Sequence, residues 1–195
     1  KGTVTYYYST SNTNTGGTEW SKVTSSTSLN AGTYYMYAVI DATTNYNGKT
    51  TAATQFTISQ ATGTVTLSPA TGSVTYGTAS KTFTATTNSG TLSVTDDHGT
   101  ATVAISNGTV TISTLSAINA GTAIKVTVSA AASTNYTAAS AVYTLTITKA
   151  NINPSVTMTG YTYAGTKTNP SVSGNTGKGT VTYYYSTSNT NTGGT

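Results

Sequence analysis

Residues 100–113 read TATVAISNGTVTIS. Val103 and Ile105 alternate with small or polar neighbours, the dipeptide Asn107-Gly108 follows, and Val110 and Ile112 alternate with Thr109, Thr111 and Ser113. Period-2 alternation of branched apolar residues marks a strand with one buried face. Asn-Gly between two such runs supplies the positive φ angles of a two-residue hairpin turn, so a β-hairpin is predicted over 100–106 and 109–113. Working outward, the same alternation predicts strands over 64–68, 73–76, 81–86, 91–95, 123–129 and 141–148. Turn chemistry separates them at Pro69-Ala70-Thr71-Gly72, Asn88-Ser89-Gly90 and Asp96-Asp97-His98-Gly99. No stretch carries helical spacing.

Seven or eight short strands in fewer than 100 residues is the pattern of an immunoglobulin-like β-sandwich, so the predicted fold class is all-β. Parity assigns its core to Val65, Leu67, Val74, Tyr76, Phe83, Leu92, Val94, Val103, Ile105, Val110, Ile112, Ile124, Val126, Val128, Tyr143, Leu145 and Ile147. Thr and Ser occupy the other face. Thr suits it, because its branched Cβ fits the pleat while its hydroxyl stays hydrated.

Internal repeats set the organisation around this segment. Residues 1–18, KGTVTYYYSTSNTNTGGT, recur without substitution at 178–195, an offset of 177. That is what a window on a long array of identical 177-residue units displays, and on this expectation the ends fall inside a module. A diverged repeat lies at half the period. Asn30-Ala31-Gly32-Thr33 returns at 119–122, Thr44-Asn45-Tyr46 returns at 134–136, and Phe56-Thr57-Ile58-Ser59-Gln60-Ala61 aligns with Leu145-Thr146-Ile147-Thr148-Lys149-Ala150. The expected organisation is a complete module over 61–149, the back part of a related module over 1–60, and the front part of the next over 150–195. In the split module the same registers place Val4, Tyr6, Tyr8, Tyr35, Tyr37, Val39, Phe56, Ile58, Val156, Met158, Val181, Tyr183 and Tyr185 inward, and Tyr7 and Tyr34 outward.

Of the 195 residues, 51 are Thr and 23 are Ser, whereas only 6% are charged, against roughly 25% in ordinary globular chains. This is not the composition of a cytosolic enzyme. All eight cations are Lys. Without the bidentate guanidinium forks that read phosphate and guanine, a nucleic-acid partner is not expected. No apolar run approaches the ~20 residues of a membrane-spanning helix, and no signal-peptide pattern opens the chain.

The motifs Gly-Thr-Val-Thr-Tyr-Tyr-Tyr at 179–185, Asn-Ala-Gly-Thr at 30 and 119, and Thr-Asn-Tyr at 44 and 134, with a closing strand that runs directly into the next module, resemble bacterial immunoglobulin-like (Big-type) tandem-repeat domains of cell-surface and adhesin proteins. The resemblance spans the whole chain. It implies secretion and a place on the cell surface, as a stalk or filament whose partners are neighbouring copies of the same repeat, in one polypeptide or in adjacent subunits.

The linkers at 59–63 and 148–151 are only a few residues long, so adjacent modules should touch and bend little. Neither linker contains Asp or Glu, so calcium is not expected to stiffen them, and no metal or other cofactor is called for. The reactive-looking cluster Asp96-Asp97-His98-Gly99 reads as a solvated turn, because adjacent strand residues point to opposite faces. With one His, no Cys and no Gly-x-Ser-x-Gly elbow, no catalytic residues are expected. Two ligand ideas remain. Tyr7, Trp20 and Tyr34, with Asn12 and Asn14 between them, have the chemistry to stack on and hydrogen-bond a glycan or a host surface. Surface domains of this kind also form Lys-to-Asn isopeptide bonds beside a carboxyl, for which Lys149 or Lys167 with Asn45 and Asp41 are the candidates.

Overall fold

Asn107 and Gly108 both have positive φ, 47° and 75°, so the quoted hairpin closes through a turn whose hand matches strand twist. The computed structural model describes residues 1–24, 28–189 and 191–195. Among these the structure is all-β, with single 3-10 turns at Trp20–Lys22 and Leu115–Ala117. The chain divides into two units, Lys1–Thr148 and Lys149–Thr195. No helix is long and apolar enough to cross a membrane among the described residues.

The first unit begins with an antiparallel sheet of β1 (Val4–Ser9), β2 (Thr18–Glu19), β3 (Gly32–Ile40), β4 (Lys49–Thr50) and β5 (Thr54–Ile58). Strand β3 is central, with β1 on one side and β4 and β5 on the other. Eight strands follow: β6 (Val65–Ser68), β7 (Thr71–Thr75), β8 (Lys81–Thr87), β9 (Leu92–Asp96), β10 (Thr102–Ser106), β11 (Thr109–Ser113), β12 (Ala123–Ala130) and β13 (Ala139–Thr148). Each lies within two residues of its predicted bounds. They form two four-stranded sheets, β10-β11-β8-β6 and β7-β13-β12-β9, antiparallel except where β7 runs parallel to β13.

These two sheets share one core. Phe83, Ala85, Val110 and Ile112 of the first meet Ile124, Val126, Val128, Tyr143, Leu145 and Ile147 of the second, with Val65, Leu67, Val74, Leu92, Val94, Val103 and Ile105 packed around them. Burying each large side chain contributes roughly 1.5–3 kcal/mol. All the large side chains below 2% exposure lie between residues 110 and 147, so this half carries most of the stabilising burial. The structure corrects the expected core in two places. Tyr76 is 48% exposed, because it lies beyond the end of β7, where its N–H donates to the Thr148 carbonyl at 2.8 Å. Leu115 and Ile118 are buried in the core; Leu115 opens a 3-10 turn and Ile118 follows it, where alternation carries no signal.

The second unit contains one antiparallel pair, β14 (Ser155–Thr157) and β15 (Ser171–Ser173). None of its described residues is buried. A hairpin of this size without a core is marginal on its own. Accordingly Val156, Met158, Val181, Tyr183 and Tyr185, expected inward, are exposed here.

Strand registers in the two halves of the first unit correspond. Tyr6 faces Ala38 as Val94 faces Val128, and Tyr34 faces Phe56 as Ile124 faces Leu145. The shift is 88 residues from β1 to β9, 90 from β3 to β12 and 89 from β5 to β13. The one-residue disparity overturns the expected parity of β3. Gly121, at φ 92°, donates to the Ile147 carbonyl at 2.8 Å, while the Ile147 N–H donates to the carbonyl of Thr122 at 2.9 Å. Two residues thus oppose one, a bulge. Gly32 pairs with Ile58 in regular register. Carrying the Asn-Ala-Gly-Thr match straight into the strand therefore puts Tyr34 on the wrong face: Tyr34, not Tyr35, shares a side with Tyr8 and Phe56.

Tyr143 is fully enclosed, its ring stacked on Phe83 at 4.0 Å. A Cβ on Gly72 of β7 would run into its hydroxyl, which has no hydrogen-bond partner among the described residues. Burial pushes the phenol above its usual pKa of 10.0. The neutral form is the one the fold favours, so this residue's contribution is present below pH 10 and is lost as pH rises through the raised value. Y143F is expected to stabilise the protein at pH 7 by about 1 kcal/mol and to lack the alkaline loss. Thermal melts at pH 7 and pH 11 check this; a less stable variant at pH 7 contradicts it.

Candidate functional site

The sheet of residues 1–60 is joined to the two-sheet half by a compact set of hydrogen bonds. Asn135 lies in a turn between β12 and β13, closed by the Ser133 N–H on the Tyr136 carbonyl at 2.9 Å. Its Oδ1 accepts from the Ala31 N–H at 2.8 Å, and its Nδ2 donates to Asn30 Oδ1 at 2.9 Å. An amide is suited to this, because it offers donor and acceptor side by side. The linker threads beside it. Gln60 Nε2 donates to the Ser133 carbonyl at 2.8 Å, the Ala61 N–H to the Asn135 carbonyl at 2.8 Å, and the Thr137 N–H to the Ala61 carbonyl at 2.9 Å. Ala61 and Tyr136 thereby form a parallel bridge. Gly63 completes the passage, its N–H on Thr137 Oγ1 at 3.0 Å. A Cβ there would meet the Thr137 carbonyl. Sequence reasoning found both motifs as repeats but did not bring them together, since nothing local says that one receives the other.

The three aromatic residues expected to form a ligand site do not converge. Tyr34, expected outward, is buried at 8% exposure. Its ring stacks on Phe56 at 5.6 Å, and its hydroxyl donates to the Asn30 carbonyl at 3.0 Å. Tyr7 lies on the opposite face of the sheet, stacked on Tyr37 at 5.4 Å, whose hydroxyl accepts from the Gly17 N–H at 2.9 Å. Trp20 is exposed and meets Tyr8 and Phe56 edge-on at 6.0 and 5.9 Å. Asn14 donates to the Thr51 carbonyl at 3.0 Å, while Asn12 is exposed.

Two open apolar grooves stand out. One, of about 570 Å³, runs along Tyr6, Trp20, Met36, Ala38 and Phe56 of the first unit. The other, of about 580 Å³, is lined in the second unit by Val156, Val172, Val181, Tyr183 and Tyr185. The identical copies differ sharply. Residues 4–9 are a strand against β3 with Tyr7 and Tyr8 half-buried, whereas residues 181–186 form no strand and Tyr184 and Tyr185 are 72% and 73% exposed.

The remaining polar candidates serve local structure or lie in solvent. Asp96 Oδ1 accepts from the His98 N–H at 2.9 Å, and Asp97 Oδ1 from the Lys125 N–H at 2.7 Å; the two carboxylates hold a turn and a strand edge. Among the described residues no group of three metal-ligating side chains gathers. Asp41, Asn45, Lys149 and Lys167 are all exposed, away from the desolvated surroundings in which an isopeptide bond forms.

If the joint has the described geometry, N135A exposes the Ala31 amide, which should then exchange with solvent about tenfold faster. Amide hydrogen exchange reads this directly, and an unchanged Ala31 rate contradicts the geometry. No protein-family model matches this chain, and no curated protein is similar to it.

Proposed function

We propose that the chain belongs to an extracellular structural protein, a semi-rigid stalk or filament of tandem immunoglobulin-like modules on a bacterial surface. On this reading residues 61–149 are a complete module, 1–60 the back part of a second, and 150–195 the front part of the next. The observation that carries it is the 18-residue identity at an offset of 177, taken with its two structural states. Paired with β3 the segment is a strand; in the second copy it forms no strand, and Tyr185 is paired with Thr195 by two backbone hydrogen bonds of 3.0 Å. The two parts of the split module also complement one another. Residues 1–60 supply counterparts of β9, β12 and β13, while β14 and β15 pair as β6 and β8 do. Apart from the 18 residues they share, each lacks what the other has. The short linker and the Asn135 contacts support stiffness, and the role needs no catalytic site.

Recognition of a glycan or host protein through Tyr7, Trp20 and Tyr34 has less support, because Tyr34 is buried and Tyr7 faces away from the other two. The groove beside Trp20 is on the side that the missing part of the module covers.

Strand β13, with 10 residues, spans roughly 33 Å at about 3.3 Å per residue, so two modules end to end extend about 70 Å. Chains of one to four 177-residue units should lengthen by that increment per unit in small-angle scattering or electron microscopy. Growth with the square root of unit number, as for a flexible coil, contradicts a stalk.

A further inference from the structure

The joint at Gln60 and Ala61 has a counterpart one module further on. We infer that Asn45 of a following copy of the repeat clasps Asn119 and Ala120 of the preceding one, by the paired amide contact that Asn135 makes to Asn30 and Ala31. The inference rests on the tandem reading and names the residues that make its second kind of joint.

Both halves of that contact are present; the two asparagine turns are built alike, while the receiving Asn-Ala pairs precede a bulge at Gly121 and regular pairing at Gly32. Thr44-Asn45-Tyr46 sits in a turn closed by the Thr43 N–H on the Tyr46 carbonyl at 2.8 Å, as Thr134-Asn135-Tyr136 sits in one closed at 2.9 Å. On the receiving side, Ala31 precedes Gly32, which is paired to Ile58, two residues before Gln60. Ala120 precedes Gly121, whose N–H is held by the Ile147 carbonyl, two residues before Lys149. Each Asn-Ala pair is thus fixed next to the point where its module hands the chain on. The linkers match as well: Gln60-Ala61 becomes Lys149-Ala150, and an ammonium can donate to the Thr43 carbonyl as Gln60 donates to that of Ser133.

Neither half is engaged within one copy. Asn45 and Asn119 are exposed, and among the described residues neither side-chain amide has a hydrogen bond. Tyr46 is 79% exposed whereas Tyr136 is half-buried. Position explains this. Asn30 and Asn45 lie beyond opposite ends of β3, a strand of 9 residues and so about 30 Å long. Asn119 and Asn135 likewise flank β12. The joint uses the Asn30 end of one and the Asn135 end of the other, leaving Asn45 and Asn119 at the outer ends. Repeated from copy to copy along one chain, such a head-to-tail contact leaves a free end for the next. The correspondence stops at Gly63, whose counterpart is Ile152. The tight passage of Gly63 past Thr137 is not repeated, and the clasp is confined to Asn45, Asn119, Ala120 and the Lys149-Ala150 linker.

The test is amide hydrogen exchange on a two-unit chain, made by appending residues 19–195 once more after Thr195. The Ala120 amide of the first copy should exchange about tenfold more slowly than in the 195-residue chain, and N45A in the second copy should restore the fast rate while Ala31 stays protected. Fast exchange at Ala120 while residues 181–186 become protected overturns the clasp and leaves the tandem reading intact. Slow exchange at Ala120 that survives N45A also overturns it. Fast exchange at both Ala120 and 181–186 removes the tandem reading and the clasp together.

Discussion

The antiparallel pairing of residues 4–9 with β3 is the constraint on which the rest of the account depends. A strand made of Val, Thr and Tyr has no hydrogen bonds within itself. Its backbone groups are satisfied only by a neighbour. Residues 4–9 have that neighbour, and their Tyr7 ring stacks on Tyr37. Residues 181–186 have the same sequence and no strand. Because local sequence is identical, local propensity cannot be the cause of the difference; the partner is. An open groove lies beside each copy, lined by Tyr6 in one and by Tyr183 in the other.

Where both sheets are present, between residues 61 and 148, a core of modest side chains is enough. The outer faces need no charge to remain hydrated, since Thr and Ser hydroxyls line them. That explains how a chain with four acidic residues and eight lysines forms ordered sheets. Two of the four carboxylates, Asp96 and Asp97, hold backbone N–H groups.

Much of this was legible from residue order. Alternation located all eight strands from β6 to β13, because in this segment one face is apolar and the other is mostly Thr or Ser, and Asn107-Gly108 located the two-residue hairpin turn between β10 and β11. Strand β3 defeated the same reasoning. Its sequence, GTYYMYAVI, is apolar or aromatic at nearly every position, so parity does not choose a face, and the bulge at Gly121 and Thr122 made the repeat match misleading by one residue. Tyr34 was therefore misplaced as a surface residue. The Asn135 contacts were illegible for a different reason. They join positions more than 100 residues apart, and only the fold brings them within reach.

The central claim is that residues 1–60 and 150–195 are complementary parts of one module. Nuclear magnetic resonance of the segment 181–186 tests it most directly, in the present chain and in one where residues 19–60 are appended after Thr195. The Tyr185 amide is already held by the Thr195 carbonyl at 3.0 Å, so the readout is Tyr183 and Tyr184, whose amides should take on strand chemical shifts and the exchange protection of Tyr6 and Tyr7 only in the longer chain. If they remain unpaired there, with coil shifts and rapid exchange, the two parts do not form one module and the account is contradicted.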